Sequence, residues 1–531
     1  MFRLALTRAE LAEEGFYLFK QTWNDYWDFQ TSFFLLYNDQ DGTAHDIGQV
    51  KIGRLSKEYS REDPKTEVPA TFDSLSGDYF SLGQDDSYYE ALEKLGDGQR
   101  LEALRGLRDI AFSEEIFDLA KSKACTKISL FRFVTPATVT GQFRRLARGG
   151  ARLTDYSFSY SFPNSVLVVP SEIQFDVTAS SNPPTNIQVL IGRNGVGKST
   201  LLDAMARSFV LADRPETDEK FGHFSFERNS GDSTAFVNLV SVSFSAFDSF
   251  TAISVPRDRT NGPLYEYIGL KKIAMDRNRL KRVSFEETVV AESGIKDPAA
   301  LGAEFIKAAR VCMNGAYLNR WFRALNLLDS DPVFATTGIL ETVEQLRANQ
   351  EGNPGGARES KAEKSLSHLF GKLSSGHKIV LLTITRLVQA VSEKTLVLID
   401  EPEAHLHPPL LSAFTRALSD LLSDRNGVAI VATHSPVILQ EVPKSCVWIL
   451  SRTGEFSKIK HPRMETFGEN VGILTSEVFS LEVTATGFHQ RLFDAATKAS
   501  SYEEALRLFG GQVGAEGRIL LESMILQKSE V

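Results

Sequence analysis

Residues 187–211 pass from an apolar, strand-like run through Gly192-Arg193-Asn194-Gly195-Val196-Gly197-Lys198-Ser199 into an apolar pattern of helical period. A strand that empties into a glycine-rich turn and then into a helix is a unit of an open α/β sheet, with the turn at the carboxyl edge of the strand. The glycines let successive backbone amides from Arg193 through Asn194, Gly195, Val196 and Gly197 face inward on an anion. Lys198 would neutralise the outer oxygens of a triphosphate, and the Ser199 hydroxyl would ligate Mg2+. Ser199 and Thr200 open a helix whose dipole favours negative charge. A coincidental glycine turn is the competing reading, and the strand before it and the helix after it count against that.

Three further segments carry chemistry. Leu396-Val397-Leu398-Ile399-Asp400-Glu401 is an apolar strand ending in two carboxylates. At the carboxyl edge of a parallel sheet, Asp400 would hold Mg2+ through water and Glu401 would orient and deprotonate an attacking water; a solvated loop start is the plainer alternative. His434 ends the next apolar run, residues 428–432. By itself a strand-end histidine is more often structural, yet an imidazole there can donate to a phosphate or help hold a water. Ser374-Ser375-Gly376 precedes a helical run over residues 379–391. In isolation that is an ordinary helix N-cap, although its amides and the Ser374 hydroxyl also suit an anion.

As a set, these fragments resemble the ATP-binding-cassette ATPases of the broad AAA class. The run Asp400-Glu401-Pro402-Glu403-Ala404-His405-Leu406-His407-Pro408 is similar to the OLD, SMC and RecF branch rather than to the transporters. The resemblance implies an α/β fold: an ABC-ATPase head with a P-loop sheet and helices, an inserted helical lobe, and an α+β N-terminal region. It implies ATP and Mg2+ as cofactors. It also implies a homodimer through the ATP sites, or a higher oligomer, in which Ser374, Ser375 and Gly376 of one subunit touch the γ-phosphate held by the other. His434 would then be the switch histidine on that phosphate. A metal-site reading of Glu403, His405 and His407 competes with an irregular interface loop forced by Pro402 and Pro408, and no fourth ligand stands nearby, which favours the loop. The pattern departs from the family at Val242-Ser243-Phe244-Ser245-Ala246-Phe247-Asp248, where a glutamine usually serves Mg2+; Ser245 or water would substitute.

OLD relatives carry a nuclease after the histidine, which needs a paired Asp-x-Asp. None occurs here beyond His434, and Asp329-Ser330-Asp331 lies on the wrong side and reads as a helix cap. Residues 73–84 with Tyr88-Tyr89, and residues 465–470 through 487–489, resemble ATPase subunits of Septu-type and retron-associated antiphage systems. That resemblance implies a separate HNH-type nuclease effector, and a reverse transcriptase with non-coding RNA if a retron is involved. The alternative functions are a DNA-repair or recombination ATPase that binds DNA directly, and an ATP-sensing scaffold with little hydrolysis.

The 531 residues exceed one ordinary core. The expected organisation is an α+β region over 1–150, a first ATPase part with the P-loop over 151–270 and an inserted helical lobe over 271–365. A second ATPase part follows over 366–460 and a helical region over 461–531. Residues 31–37 and 46–52 read as paired strands around a turn, and Leu101, Leu104, Leu107 and Ile110 fall at helical spacing. In the insertion Pro298 suits a helix start, and residues 318–328 and 338–350 continue helically. Residues 351–364 read as a surface loop, and the lack of sustained heptads predicts a compact lobe rather than a coiled-coil rod. Hydrophobic residues at 42% and charged residues at 24% exclude a largely disordered chain, and no apolar run approaches a membrane span. With a net charge of −9, nucleic-acid contact would need a local patch; Lys271, Lys272, Arg277, Arg279, Lys281 and Arg282 form one, or a solvated charged face. The N-terminus lacks an export signal, and three cysteines do not make a disulfide framework, so a cytoplasmic location is expected.

Overall fold

A computed structural model describes residues 1–21, 28–150, 153–212, 217–226, 236–244, 264–273, 292–313, 316–350, 356–483 and 488–529. Ser245, Arg277, Arg279, Lys281 and Arg282 lie outside the described residues.

The N-terminal region is a six-stranded sheet in the order Thr71–Phe72, Phe2–Ala5, Gly15–Lys20, Ser32–Asn38, Ala44–Arg54, Tyr79–Gly83. Ser32–Asn38 and Ala44–Arg54 pair antiparallel, as their alternation predicts, with Gly42 at φ +78° in the turn between them. Helices Asp86–Lys94, Asp97–Gly106 and Glu114–Ala120 complete this core. Tyr88 and Tyr89 are wholly buried in it, and the Tyr89 hydroxyl donates to Asp109 at 3.0 Å.

Burial pushes the Asp109 carboxyl up to about 6 from an ordinary 3.8, despite hydrogen bonds from the Phe112 amide, Tyr89 and the Ala111 and Gly83 amides. A carboxyl raised on folding stabilises the protonated protein. That stability is complete below the unfolded value and is lost as pH rises through about 6. The shift is about two units, or about 3 kcal/mol at 1.36 kcal/mol per unit. Asp109→Asn cannot titrate, so its stability relative to wild type should improve by about 2–3 kcal/mol between pH 4 and pH 7.5. Urea unfolding of both proteins at the two pH values measures this; a constant gap contradicts it.

The main sheet has eight strands in the order Leu264–Gly269, Asn238–Ser243, Thr395–Asp400, Val428–Thr433, Ile187–Gly192, Val447–Thr453, Phe456–Lys460, Val168–Val169. The first six run parallel. Thr395–Asp400, Val428–Thr433 and Ile187–Gly192 are buried at every position, as continuous apolar runs require when both faces are covered. Alternate side chains serve opposite layers. Val189, Ile191, Val397, Ile399 and Val431 join the core under helices Pro298–Cys312, Ala316–Leu328, Ser375–Ala390 and Pro408–Ser423. Leu190, Leu396, Leu398 and Ile430 pack with helix Lys198–Val210 and a three-stranded sheet of His223–Phe226, Tyr156–Ser161 and Glu172–Val177.

The helices of the insertion lie on the sheet itself. Trp321 is wholly buried, and its indole donates to Thr385 Oγ1 at 3.0 Å. An antiparallel pair, Lys271–Ile273 with Glu292–Ile295, precedes them. The loop expected over 351–364 is corrected: residues from Gly356 belong to helix Gly356–Lys372. Its Gly, Glu and Lys content masks a buried stripe of Ala362, Leu366 and Phe370, the last stacked on Phe305 at 4.5 Å between ring centroids.

The N-terminal region docks through buried charge at the amino edge of the main sheet. Arg425 Nη2 lies 3.0 Å from Asp85 Oδ2 and 3.1 Å from Asp86 Oδ1, and its Nη1 donates to Gln142 at 3.1 Å. Arg320 also pairs with Asp85, and Arg145 meets Glu393 at 2.8 Å. Burial opposes an ionised Asp85, but Arg320 and Arg425 outweigh it and hold that carboxyl well below its usual range; burial pushes neighbouring Asp86 up to about 6.

After helix Val471–Val483, helices Phe488–Lys498, Tyr502–Arg507 and Ala515–Ser529 enclose a small core of Leu492, Ala495, Ala496, Ala499, Ala505 and Leu521. Among the described residues no helix is long and apolar enough to cross a membrane.

Candidate nucleotide site

Strand order brings three chemically distinct segments to one edge. Val428–Thr433 lies between Ile187–Gly192 and Thr395–Asp400, with Ile191 opposite Thr433 and Asp400 opposite Ala432. The phosphate loop, His434 and the Asp400-Glu401 pair therefore leave neighbouring carboxyl ends, where open α/β sheets place their ligands.

The loop turns on Gly195 at φ +82° and Gly197 at φ +97°, a region that side chains with a Cβ rarely adopt. Nothing lies within 4 Å of where a Cβ would project at either position, so the turn is uncrowded there. Gly192 is held differently: a Cβ there would sit 2.4 Å from the Leu450 carbonyl oxygen. Gly197 caps helix Lys198–Val210, so the orphan amides of its first turn face the loop. Lys198 folds back over the loop, donating to the carbonyls of Gly192 at 2.9 Å and Arg193 at 3.0 Å. Burial lowers its ammonium pKa, and Glu401, Asp400 and Glu403 oppose that shift. Arg193, Val196 and Ser199 are half-buried around the turn, while Asn194 and Thr200 are exposed.

Asp400 is 4% exposed at the end of its strand. Glu401 departs from the strand in the left-handed region, at φ +44° and ψ 59°, with its amide donating to the Ala432 carbonyl at 2.9 Å. A non-glycine residue in this conformation costs on the order of 1–3 kcal/mol, which is tolerated where surrounding structure fixes it, commonly at functional sites. The uncrowded turn, the buried ammonium and a carboxylate beside it fit a triphosphate with Mg2+: the loop amides and Lys198 would hold phosphates, and Ser199 and Asp400 would hold the metal. Bound there, Mg2+ would neutralise charge on the phosphate oxygens.

His434 is bound to the acidic segment. Its Nδ1 stands 3.0 Å from Glu403 Oε1 and 3.8 Å from Glu401 Oε1. Glu403, His405 and His407 have different partners, in keeping with the interface loop that the sequence favours over a metal site. His405 Nε2 lies 3.5 Å from the Phe244 carbonyl, and His407 Nε2 is 2.9 Å from Asp331 Oδ2. Asp331 itself caps helix Pro332–Ala335.

Ser374 accepts from the His377 amide at 3.3 Å as the N-cap of Ser375–Ala390, and its hydroxyl lies 2.8 Å from His377 Nδ1. Burial lowers the His377 pKa. Ser374 and Ser375 are exposed, and a Cβ on Gly376 would approach the His405 carbonyl oxygen to 2.4 Å. Within the chain this segment therefore packs on the loop after Glu401.

Fold and site together define a nucleotide-binding domain with a phosphate loop at the carboxyl edge of a parallel α/β sheet. Residues 356–440, from the helix before Ser374 to just past His434, match the family described as "AAA domain, putative AbiEii toxin, Type IV TA system". The chain is 41% identical over 523 residues to protein ea59 of Escherichia phage lambda, covering 96% of this chain and 94% of that protein, and it belongs to the ea59 family. Among solved structures it resembles an inward-facing putative metal-chelate type ABC transporter at TM-score 0.28 and 15% identity, over 61% of this chain and 89% of that one. It also resembles MJ1267, an ATP-binding cassette of an ABC transporter in its ADP conformation, at TM-score 0.29 and 14% identity, over 63% of this chain and all of that one (100%).

Proposed function

We propose that the protein binds and hydrolyses ATP at the Lys198 cradle, that two copies close head to tail around two nucleotides, and that this cycle restrains or releases a separate effector. The observation that carries the reading is the convergence of the phosphate loop, Asp400-Glu401 and His434 on adjacent strand ends. In this reading Glu401 orients and deprotonates water, and Lys198 and the loop amides hold the charge that moves onto the leaving phosphate. Exposed Ser374 and Ser375 at a helix N-terminus support an anion contact supplied to a second subunit. Nucleotide at about 100 times its dissociation constant would favour the binding-competent form by about 2.7 kcal/mol, a bias that hydrolysis reverses.

For the effector, the resemblance of the flanking segments to Septu-type and retron-associated ATPases supports an HNH-type nuclease in antiphage defence, acting in the cytoplasm, with a reverse transcriptase and RNA where a retron is attached. The absence of an Asp-x-Asp pair after His434 agrees with a nuclease on another polypeptide.

Nucleotide binding tests the foundation. Lys198→Ala should weaken ATP binding at least about 100-fold, equivalent to about 3 kcal/mol, with the fold retained. Isothermal titration against ATP with Mg2+ measures it, and wild-type affinity in the variant contradicts the assignment.

A further inference from the structure

Beyond its charge acting on Lys198, Glu403 has no role in the nucleotide chemistry assigned above, yet its carboxylate is more buried than that of Glu401. Its side chain is 8% exposed against 31% for Glu401. One oxygen, Oε1, accepts from the Thr433 hydroxyl at 2.6 Å and the His434 amide at 2.7 Å, and the same oxygen stands 3.0 Å from His434 Nδ1. Oε2 is buried and has no hydrogen-bond partner among the described residues. The short helix Pro402–His405 that carries Glu403 starts from the left-handed backbone of Glu401, which turns the chain back under the end of Val428–Thr433.

We infer that Glu403 is a positioning residue for His434, fixing the ring so that Nε2 serves the attacking water. A carboxylate only accepts hydrogen bonds, so the imidazole nitrogen facing it carries the proton. With that proton committed at Nδ1, the neutral ring offers Nε2 as an acceptor. Phosphate oxygens are acceptors too, whereas water has protons to give. The ring therefore suits a water beside the terminal phosphate, held jointly with Glu401, and the Thr433 hydroxyl and His434 amide anchor the carboxylate that sets this choice. The arrangement follows the logic by which a buried acid orients a catalytic histidine, here built from two residues of one loop and one strand end.

The inference rests on the ATPase reading, so two readouts separate them. Histidines labelled with 15N in the full-length protein, with the His434 signal identified by its loss in His434→Ala, report the tautomer without turnover. Wild type should show the proton on Nδ1, and Glu403→Ala should move the ring toward the Nε2-protonated form common to free histidine. In steady-state assays Glu403→Ala should lower kcat about 10- to 100-fold, with nucleotide affinity within about threefold of wild type. Glu403→Gln keeps one acceptor oxygen for Thr433, the His434 amide and Nδ1, so it should retain the Nδ1 tautomer and recover most of the kcat lost in Glu403→Ala. In a His434→Ala background, adding Glu403→Ala should cost less than about threefold, because the group it positions is gone. An Nε2-protonated ring in wild type, a tautomer unchanged by Glu403→Ala, or multiplicative kinetic losses would overturn the inference. A wild type that turns over no ATP would instead defeat the ATPase reading, with the tautomer still deciding the role of Glu403.

Discussion

Glu401→Gln should slow ATP hydrolysis about 10²- to 10⁴-fold while leaving ATP bound. The substitution keeps the size and hydrogen-bonding reach of the side chain but removes its capacity to take a proton. At about 1.36 kcal/mol per decade, the expected loss is about 3–5 kcal/mol of transition-state stabilisation. Ground-state binding belongs to other groups: the open turn at Gly195 and Gly197, the helix that starts at Lys198, and the Lys198 ammonium now satisfied by the Gly192 and Arg193 carbonyls. Glu401 is 31% exposed and can reach solvent, whereas Asp400 is buried beside it. Phosphate release measured under single turnover, with bound nucleotide quantified in parallel, checks the split. Unchanged hydrolysis would remove Glu401 from the mechanism, and loss of binding would make it a ground-state contact.

Arg425→Ala should be the most damaging substitution outside the site, at about 3–5 kcal/mol, because it strands charge where water cannot reach. Arg425 is 3% exposed and joins Asp85, Asp86 and Gln142 of the N-terminal region to the main sheet. Without it, Asp85 keeps the Arg320 pairing, and the Asp86 contact with the guanidinium is lost. Asp86, already pushed up to about 6, would take up a proton, and Asp85 would lose one of the two cations that keep it ionised. Adding Asp86→Asn should recover part of the loss by removing one stranded acid. Thermal and urea unfolding of the single and double variants measure this, and a loss below about 1 kcal/mol for Arg425→Ala would show that the network is not a principal tie. The effect should extend to the site, since Arg425 lies three residues before strand Val428–Thr433, which leads directly into His434.

What could be read from the sequence was local and continuous. The phosphate loop, the acidic strand and the strand before His434 are each a single run whose side-chain pattern states its own geometry, and each lies where its pattern predicts. The helix Gly356–Lys372 was hidden because its polar face dominates its composition while its apolar stripe has meaning only against Phe305. Glu403 was visible as a residue, two positions after Glu401, but not as a partner of His434. That pairing depends on which strands become neighbours, and the donor and acceptor are 31 positions apart. The Arg425–Asp85 contact spans 340 positions, beyond any periodic signal. Tyr88 and Tyr89 are interior residues of the N-terminal core, a placement that their sequence neighbours alone do not reveal.

The mass of the protein in solution tests the shared-nucleotide account most directly. Analytical ultracentrifugation of Glu401→Gln with ATP and Mg2+ should give twice the mass found without nucleotide. Adding Ser374→Arg should return it to the smaller mass while each chain still binds ATP. A Glu401→Gln protein whose mass ignores ATP, or an ATP-dependent dimer indifferent to Ser374→Arg, would contradict a site closed by Ser374 of a second copy.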